Sequence, residues 1–315
     1  MTNYLVTGGA GFIGSNLVRG LLERGHSVRV IDNFSTGRRE NLQGILDRID
    51  LLEGDLTRAG DARAAVRDIE VVFHEAALPS VPRSLEDPLA CNSASVDATL
   101  HLLMAAREAG VRRVVYASSS AVYGDQDPST PKVETMPAEP ISPYGAAKLA
   151  AEKYCQAFYH AYGLETVSLR YFNVFGARQD PRSTYAAVIP KFITCLLAGE
   201  PPTIFGDGEQ TRDFTYVGNV VEGNLRAAHA PAAGAAGQVF NLAMGGQISL
   251  NRLVSVLHEI IGTDIRPVYE VPRPGDILHS SSDIEKARRL LGYEPVFSLE
   301  DGLAQTVAWY RDNAA

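Results

Sequence analysis

Cysteine is scarce in this chain: Cys91, Cys155 and Cys195 are the only three in 315 residues, widely spaced and odd in number. That pattern suits neither a disulfide framework nor a metal site, and the three read as small core residues of a protein kept in a reducing compartment. Long apolar runs are also missing, none approaching the ~20 residues of a membrane-spanning helix. The first strand-like run opens at Tyr4, so no secretion signal is expected and the cytoplasm is the expected location. Lysine and arginine never cluster beyond a pair, and the formal net charge is −8. A nucleic-acid or anionic-membrane partner therefore has no electrostatic footprint here. There is no internal repeat, and the one biased stretch, rich in alanine and glycine at 230–238, is expected to be a surface connection. With 45% hydrophobic and 21% charged residues, the chain can bury a large core, divided into two lobes.

What is present begins at once. Tyr4-Leu5-Val6-Thr7 is a short apolar strand, Gly8-Gly9-Ala10-Gly11-Phe12-Ile13-Gly14 follows, and Ser15-Asn16-Leu17-Val18 opens a helix. Glycines at 8, 11 and 14 permit a tight turn, close approach of a pyrophosphate to backbone N–H groups, and close packing of helix on strand. A second strand, Ser27-Val28-Arg29-Val30-Ile31, ends in Asp32, eighteen residues past Gly14. A carboxylate there would grip an adenosine ribose diol and repel a 2′-phosphate, which points to NAD, although Arg38 and Arg39 keep NADP open. No metal site is expected.

Tyr144 and Lys148 stand four apart in Ser142-Pro143-Tyr144-Gly145-Ala146-Ala147-Lys148, with Ser118-Ser119-Ser120 upstream. On a helix both side chains leave one face. A free phenol ionises near pH ~10, and a fixed ammonium lowers that value, so the pair reads as a general base with a serine sharing the proton. The bland alternative is a solvated lysine passing a half-buried ring.

Strands and helices alternate through the first half. Val71-Val72-Phe73-His74 is a buried strand, Val96 to Ala109 a helix with Val96, Leu100, Leu103 and Met104 on one face, Arg113 to Ala117 a strand, and Leu164 to Tyr171 another. Such units build a parallel sheet with helices on both faces and ligands at the carboxyl ends of its strands. Asp55, Ala76 and Ala77 fall at such ends and should line the crevice; His74 reads as a hydrogen-bonded core histidine rather than a catalytic one. After Asn173 prolines and glycines break the pattern into short elements, the texture of a smaller lobe. Regularity returns with Val239-Phe240-Asn241-Leu242 and a helix from Leu250 to Ile261. The expected division is a cofactor domain at 1–175 with 215–262 returning to it, and a substrate lobe from 176–214 plus 263–315.

The chain resembles the extended short-chain dehydrogenases/reductases, and among them the UDP-hexose 4-epimerases. The resemblance is carried by Thr7 through Gly14, Ser118-Ser119-Ser120-Ala121-Val122-Tyr123-Gly124, Tyr144 through Lys148, Arg170-Tyr171-Phe172-Asn173-Val174-Phe175-Gly176, Gly206-Asp207-Gly208 with Arg212-Asp213-Phe214, and Arg273-Pro274-Gly275-Asp276. It implies a Rossmann-type doubly wound α/β domain holding NAD tightly, a smaller α/β lobe for a UDP-sugar, and a homodimer in which the 96–109 and Tyr144 helices form a four-helix bundle. Carried over by position, Ser119 is the catalytic hydroxyl, Tyr144 the base and Lys148 its electrostatic partner. The cofactor set becomes Gly8, Gly11, Phe12, Ile13, Gly14, Asp32, Asn33, Ser35, Thr36, Gly37, Asp55, Leu56, Ala76, Ala77 and Tyr171, with Tyr144 and Lys148. Asn173, Arg212, Arg273 and Asp276 are assigned to the nucleotide, beside Ser119, Ser120, Tyr144, Val188, Phe205 and Ser280. The simpler alternatives are a surface pair of Arg212 with Asp213 and a loop salt bridge between Arg273 and Asp276.

The chain also departs from the family pattern. Ser95 replaces an asparagine usual before the 96–109 helix, Ala98 replaces a common glycine, and Glu75 is unusual between strand and alanines. A 4,6-dehydratase would need an acid pair where this chain has Ser120 and Ala121. A UDP-uronate epimerase or decarboxylase would need a cation facing C6, for which Arg178 or Arg182 is available. A dinucleotide sensor without chemistry would be expected to lack the tyrosine or the lysine. Ser280, where related enzymes carry a bulky tyrosine or a small residue, implies room for a 2-N-acetyl group, hence UDP-GlcNAc/UDP-GalNAc alongside UDP-glucose/UDP-galactose.

Overall fold

The computed structural model describes residues 2–127, 130–181, 187–272 and 279–313. Its first half alternates strands with helices: β1 (Asn3–Thr7), α1 (Phe12–Glu23), β2 (Ser27–Asp32), β3 (Asp50–Glu53), α2 (Ala59–Ala65), β4 (Val71–His74), α3 (Val81–Glu86), α4 (Pro88–Asn92), α5 (Ala98–Glu108), β5 (Arg113–Ser119), α6 (Pro143–Tyr162) and β6 (Glu165–Tyr171). The strand Gln238–Leu242 completes a seven-stranded sheet, in the order 238–242, β6, β5, β4, β1, β2, β3, with every pairing parallel.

Period-two alternation gives this sheet two apolar faces. Tyr4, Val6, Val30, Phe73, Val115 and Phe240 pack toward α1 and the helix Val217–His229. Leu5, Ile31, Val72 and Val114 pack toward α2, α5 and α6. The neighbours β1 and β4 mark where the strand order reverses, and a crevice opens at their carboxyl ends.

A separate apolar cluster joins Phe175, Ile189, Phe192, Phe214 and Leu253 to Leu303 and Val307. Its helices are Val188–Leu197, Leu250–Ile261 and Leu299–Asp312, tied by two-stranded pieces such as Thr203–Phe205 with Val268–Glu270. Packing departs here from the sequence division. Leu250, Leu253, Val254 and Leu257, expected in the cofactor domain, belong to the smaller cluster, whereas Ile284, Ala287 and Leu291, expected in the substrate lobe, pack with the sheet. Helical periodicity identifies an apolar face but not which sheet or helix it meets.

The expected face of the 96–109 helix is also corrected. A π-helical turn at Ser93–Asp97 precedes α5, and the buried side chains are Ala98, Thr99, Leu102, Leu103, Ala105 and Ala106, with Met104 46% exposed. Val96 lies within the π turn, so its phase relative to the residues of α5 is not the α-helical one that the spacing assumes.

Candidate active site

The N-terminus of α1 forms the floor of one cavity. Gly11 is its N-cap and supplies no side-chain cap, so the first-turn N–H groups, which lie at Phe12, Ile13 and Gly14 on the cavity wall, remain available to an anion. The turn tolerates little else: a Cβ on Gly14 would lie 2.3 Å from the Gly8 carbonyl oxygen. Around this floor the cavity collects Gly8, Gly11, Asp32, Asn33, Ser35, Thr36, Gly37, Asp55, Leu56, Ala76 and Ala77, together with Glu75, Ala94 and Ala98. Tyr171 and the Tyr144–Lys148 pair lie beyond its lining.

Asp32 is 7% exposed and accepts from the Ala10 and Phe34 backbone N–H groups at 2.9 and 2.8 Å. Burial pushes its carboxyl up while those two bonds oppose the rise. Asp55 is held below the usual carboxylate range: burial acts against its charge, but Thr57 and Asn33 donate to it and prevail. Both arginines that left NADP open are engaged with carboxylates, Arg39 with Glu53 and Arg38 with Asp180 at 3.3 Å. His74 is a core histidine: Nδ1 meets the Thr7 hydroxyl at 2.7 Å and Nε2 the Thr99 hydroxyl at 2.9 Å. Since Thr99 donates to the Ser95 carbonyl, Nε2 carries the proton. Burial holds the ring's pKa down to about 3, with the Lys148 charge adding to the effect, so it stays neutral.

The helix that carries Tyr144 and Lys148 is placed by local chemistry. Ser142 caps α6 by accepting from Gly145 N–H at 3.1 Å, Pro143 occupies the first turn, and Tyr144 N–H donates to the Ser84 hydroxyl at 3.1 Å. Gly145 has no side chain to hold it off: a Cβ would meet the Ala121 carbonyl oxygen at 2.6 Å. The helix start is thereby pressed against the turn after β5, and the Ser119 hydroxyl reaches the Tyr144 phenol. Lys148 is 3% exposed, donates to the Ala117 carbonyl at 2.7 Å, and holds its Nζ 6.0 Å from the Tyr144 ring centre.

Burial pushes the Tyr144 phenol above its ordinary value, with the Ser119 hydrogen bond offsetting part of the rise. It brings the Lys148 ammonium down to about 8, with attraction to Glu75 opposing. The sequence suggests a lysine that lowers the phenol; in the protein alone, burial is the larger influence on both.

Sequence reasoning missed the groups that brace this arrangement. Glu152, fully buried on α6, receives Arg170 at 2.7 and 3.0 Å and the Ser118 hydroxyl at 2.8 Å, binding α6 to β5 and β6. Breaking such a buried pair on one side leaves an uncompensated charge. Because Ser118 is engaged there, it is Ser119 that faces the phenol. The i, i+18 separation of Glu152 and Arg170 carries no local signal. Glu75 accepts the Tyr171 phenol at 2.8 Å.

A second region lies over the carboxyl end of β6. Asn173, Val188, Phe205 and Arg212 line a cavity with Phe175 and Phe214, and Asn173 and Arg212 also line the adjoining cavity of Ser120, Tyr123, Lys132, His279 and Ser280. Asp213 is turned away into the protein, accepting from Met244 N–H, Gly245 N–H and the Ser282 hydroxyl. With its carboxylate so engaged, a simple Arg212–Asp213 surface pair does not describe this site. Arg178 lines a different cavity, beside Trp309 and Tyr310, and donates to Asn16, away from the cavities of Asn173 and Arg212. Arg273, Asp276 and Arg182 lie outside the described residues. Ser95 is buried and absent from the wall of the cavity at the α1 N-terminus, which Ala94 and Ala98 help to form.

A parallel sheet with an uncapped glycine turn at its switch point, an acidic residue ending the second strand and a serine–tyrosine–lysine group nearby defines a dinucleotide-dependent enzyme of the Rossmann type. The sequence profile of the NAD dependent epimerase/dehydratase family matches residues 4–243, and the chain belongs to that family. It is 41% identical over 315 residues to a UDP-glucose 4-epimerase of Mycolicibacterium smegmatis, covering 98% of this chain and 99% of the relative. Among solved structures, UDP-N-acetylglucosamine 4-epimerase from Methanobrevibacter ruminantium, in complex with UDP-N-acetylmuramic acid, superposes with a TM-score of 0.93 at 42% identity over 99% of each chain. The UDP-glucose 4-epimerase of Thermus thermophilus, in complex with NAD, gives 0.87 at 35% identity over 98% of this chain and 99% of its own. The protein is an epimerase-type enzyme of the extended short-chain dehydrogenase/reductase class, with NAD as its cofactor.

Proposed function

We propose that this enzyme interconverts the 4-epimers of a UDP-hexose through a transient 4-keto sugar, turning over UDP-GlcNAc/UDP-GalNAc as well as UDP-glucose/UDP-galactose. The observation that carries the reading is the Tyr144 phenol beside the Ser119 hydroxyl, with the buried Lys148 Nζ 6.0 Å from its ring centre. When bound, NAD would supply the hydride acceptor and donor for C4, so that net oxidation is zero.

The chain's own residues do the rest. The α1 N-terminus and Asp32 hold the dinucleotide. Tyr144, as the phenolate that the Lys148 positive charge stabilises, takes the proton of the sugar 4-hydroxyl with Ser119 sharing it, and the resulting phenol returns that proton when the 4-keto group is reduced. Arg212 and Asn173, at the junction of two cavities, hold the diphosphate, which leaves the sugar free to turn about its link and present its other face. Ser280 on the sugar-side cavity leaves space for an N-acetyl group.

A homodimer through α5 and α6 is part of the same proposal, supported by Met104 and Tyr154, large apolar side chains 46% and 40% exposed on those helices. A cytoplasmic location accords with three free cysteines. Among the described residues no helix is long and apolar enough to cross a membrane.

The test is an assay of purified protein, without added cofactor, on UDP-GlcNAc and separately on UDP-glucose, with 4-epimers resolved by anomeric proton NMR. Interconversion is expected on both. Tyr144→Phe should lower turnover by roughly 10²–10⁴-fold, the usual range for general acid–base groups. A Tyr144→Phe enzyme with full activity sinks the assignment.

A further inference from the structure

The segment from His279 to Asp283 is stitched between two neighbours. On one side Thr211 forms a β-bridge with His279, and the Thr211 carbonyl accepts the Ser280 N–H at 3.1 Å. On the other, Lys132 forms a β-bridge with Ser282: its N–H donates to the Ser281 carbonyl and its carbonyl accepts the Asp283 N–H, both at 3.0 Å. The fully buried Asn241 amide also donates to the Lys132 carbonyl, at 2.8 Å. This double pairing brings Lys132, His279 and Ser280 onto the wall of one cavity of about 510 Å³, together with Ser120 and Arg212. Among the described residues that wall carries no carboxylate. A wall rich in donors and free of acids suits a substituent that accepts hydrogen bonds.

Two of these side chains have their hydrogen-bonding direction set. Lys132 is 7% exposed, and its ammonium donates to the Asp127 carbonyl at 3.0 Å. An ammonium has further N–H groups beyond that one, and these are left for a ligand. The Thr211 hydroxyl donates to Gln247 Oε1 at 3.0 Å, so its oxygen accepts from His279 Nδ1–H at 2.9 Å. In the neutral ring Nε2 then keeps its lone pair. Thr211 lies off the cavity wall, so the bonded edge of the imidazole is turned away from the cavity. Beside the small Ser280 side chain there are thus a donor and an acceptor, the two halves that match a secondary amide.

We propose that Lys132 is a specificity-determining residue for N-acetylated substrates: its ammonium donates to the acyl oxygen of a 2-acetamido group, while His279 Nε2 accepts the hydrogen of the substituent on C2. The proposal rests on the UDP-hexose reading given above and adds a positive selection to the room that Ser280 leaves. The two residues differ in what they distinguish. A hydroxyl on C2 offers His279 the same kind of donor as an amide N–H, so His279 serves both sugars. Only the N-acetyl sugar brings a carbonyl to Lys132. A hydrogen bond from a charged donor is the stronger kind, and its gain falls on the N-acetyl sugar alone.

The experiment measures binding to the purified protein by isothermal titration calorimetry, with UDP, UDP-glucose and UDP-GlcNAc as separate ligands. Lys132→Met removes the ammonium at nearly constant length. Its affinity for UDP-GlcNAc is expected to fall about tenfold, the loss of one hydrogen bond to a charged group, while UDP and UDP-glucose stay within about twofold of native. His279→Phe should weaken UDP-GlcNAc and UDP-glucose by similar factors and leave UDP unchanged. A Lys132→Met protein that binds UDP normally and keeps the native ratio of UDP-GlcNAc to UDP-glucose affinity overturns the proposal. So does a native protein that binds UDP-glucose but not UDP-GlcNAc. Should Lys132→Met not fold, the native protein decides with UDP-N-thioacetylglucosamine, whose sulfur is a poor acceptor: binding about tenfold weaker than UDP-GlcNAc supports the proposal, and equal binding refutes it. Binding needs no turnover, so a protein that holds UDP-sugars but epimerises none would remove the catalytic reading while Lys132 is judged separately.

Discussion

Replacing Lys148 by methionine should make this protein inactive and more stable. The amine is 3% exposed, and burial brings its pKa from an ordinary 10.5 to about 8. At 1.36 kcal/mol per pH unit, keeping the ammonium charged at pH 7 costs about 3 kcal/mol of folding free energy. Methionine matches the stem in length and removes that cost, but it leaves the Ala117 carbonyl without its 2.7 Å donor, a loss of about 1 kcal/mol. The net expectation is about 2 kcal/mol of added stability at pH 7, or on the order of 4 °C in Tm. The pH dependence supplies a stricter check. The folded pKa is depressed, so between pH 8 and 10.5 the unfolded chain binds more protons and native stability rises with pH. Lys148→Met has no such group, and its advantage should shrink by about 2 kcal/mol between pH 7 and 9.5. Urea unfolding of the cofactor-free proteins at the two pH values measures both differences. A variant less stable than native at pH 7, or a gap that does not narrow at pH 9.5, refutes the reasoning.

Gly14→Ala would place a Cβ 2.3 Å from the Gly8 carbonyl oxygen, forcing the backbone of the turn apart at roughly 1–3 kcal/mol. NAD content per chain, measured after denaturation, should fall well below native; native content with native Tm would show that the turn is not the cradle. Ser280→Tyr should reduce turnover of UDP-GlcNAc at least tenfold, a modest pocket effect of ~1–3 kcal/mol, while UDP-glucose is retained. Equal loss on both substrates would remove Ser280 from any role in sugar selection.

The parts legible in the sequence are those whose cause is local. The Gly8–Gly14 turn between strand and helix, the carboxylate ending β2, and the four-residue spacing of Tyr144 and Lys148 on a helix capped by Ser142 all follow from neighbours within a few residues. Val71–His74 and Leu250–Ile261 have the bounds the sequence implies because apolar periodicity and flanking turn residues agree there. The expected face of the 96–109 helix holds less well: Val96 falls in a π turn, which breaks its α-helical phase with α5, and Met104 is 46% exposed.

Tertiary structure alone decided what those local features meet. Periodicity could not say that Leu250–Ile261 packs in the smaller cluster while Ile284, Ala287 and Leu291 join the sheet. Nor could it bring Glu75 to Tyr171, 96 residues away, or Tyr171 to Asn224, a further 53. Residue types and their order determined the turn, the carboxylate ending β2 and the candidate base, because backbone geometry and side-chain spacing act over one or two turns of chain. The charge environment of that base depends on burial and on partners from distant strands and helices, and burial is a property only the folded protein has.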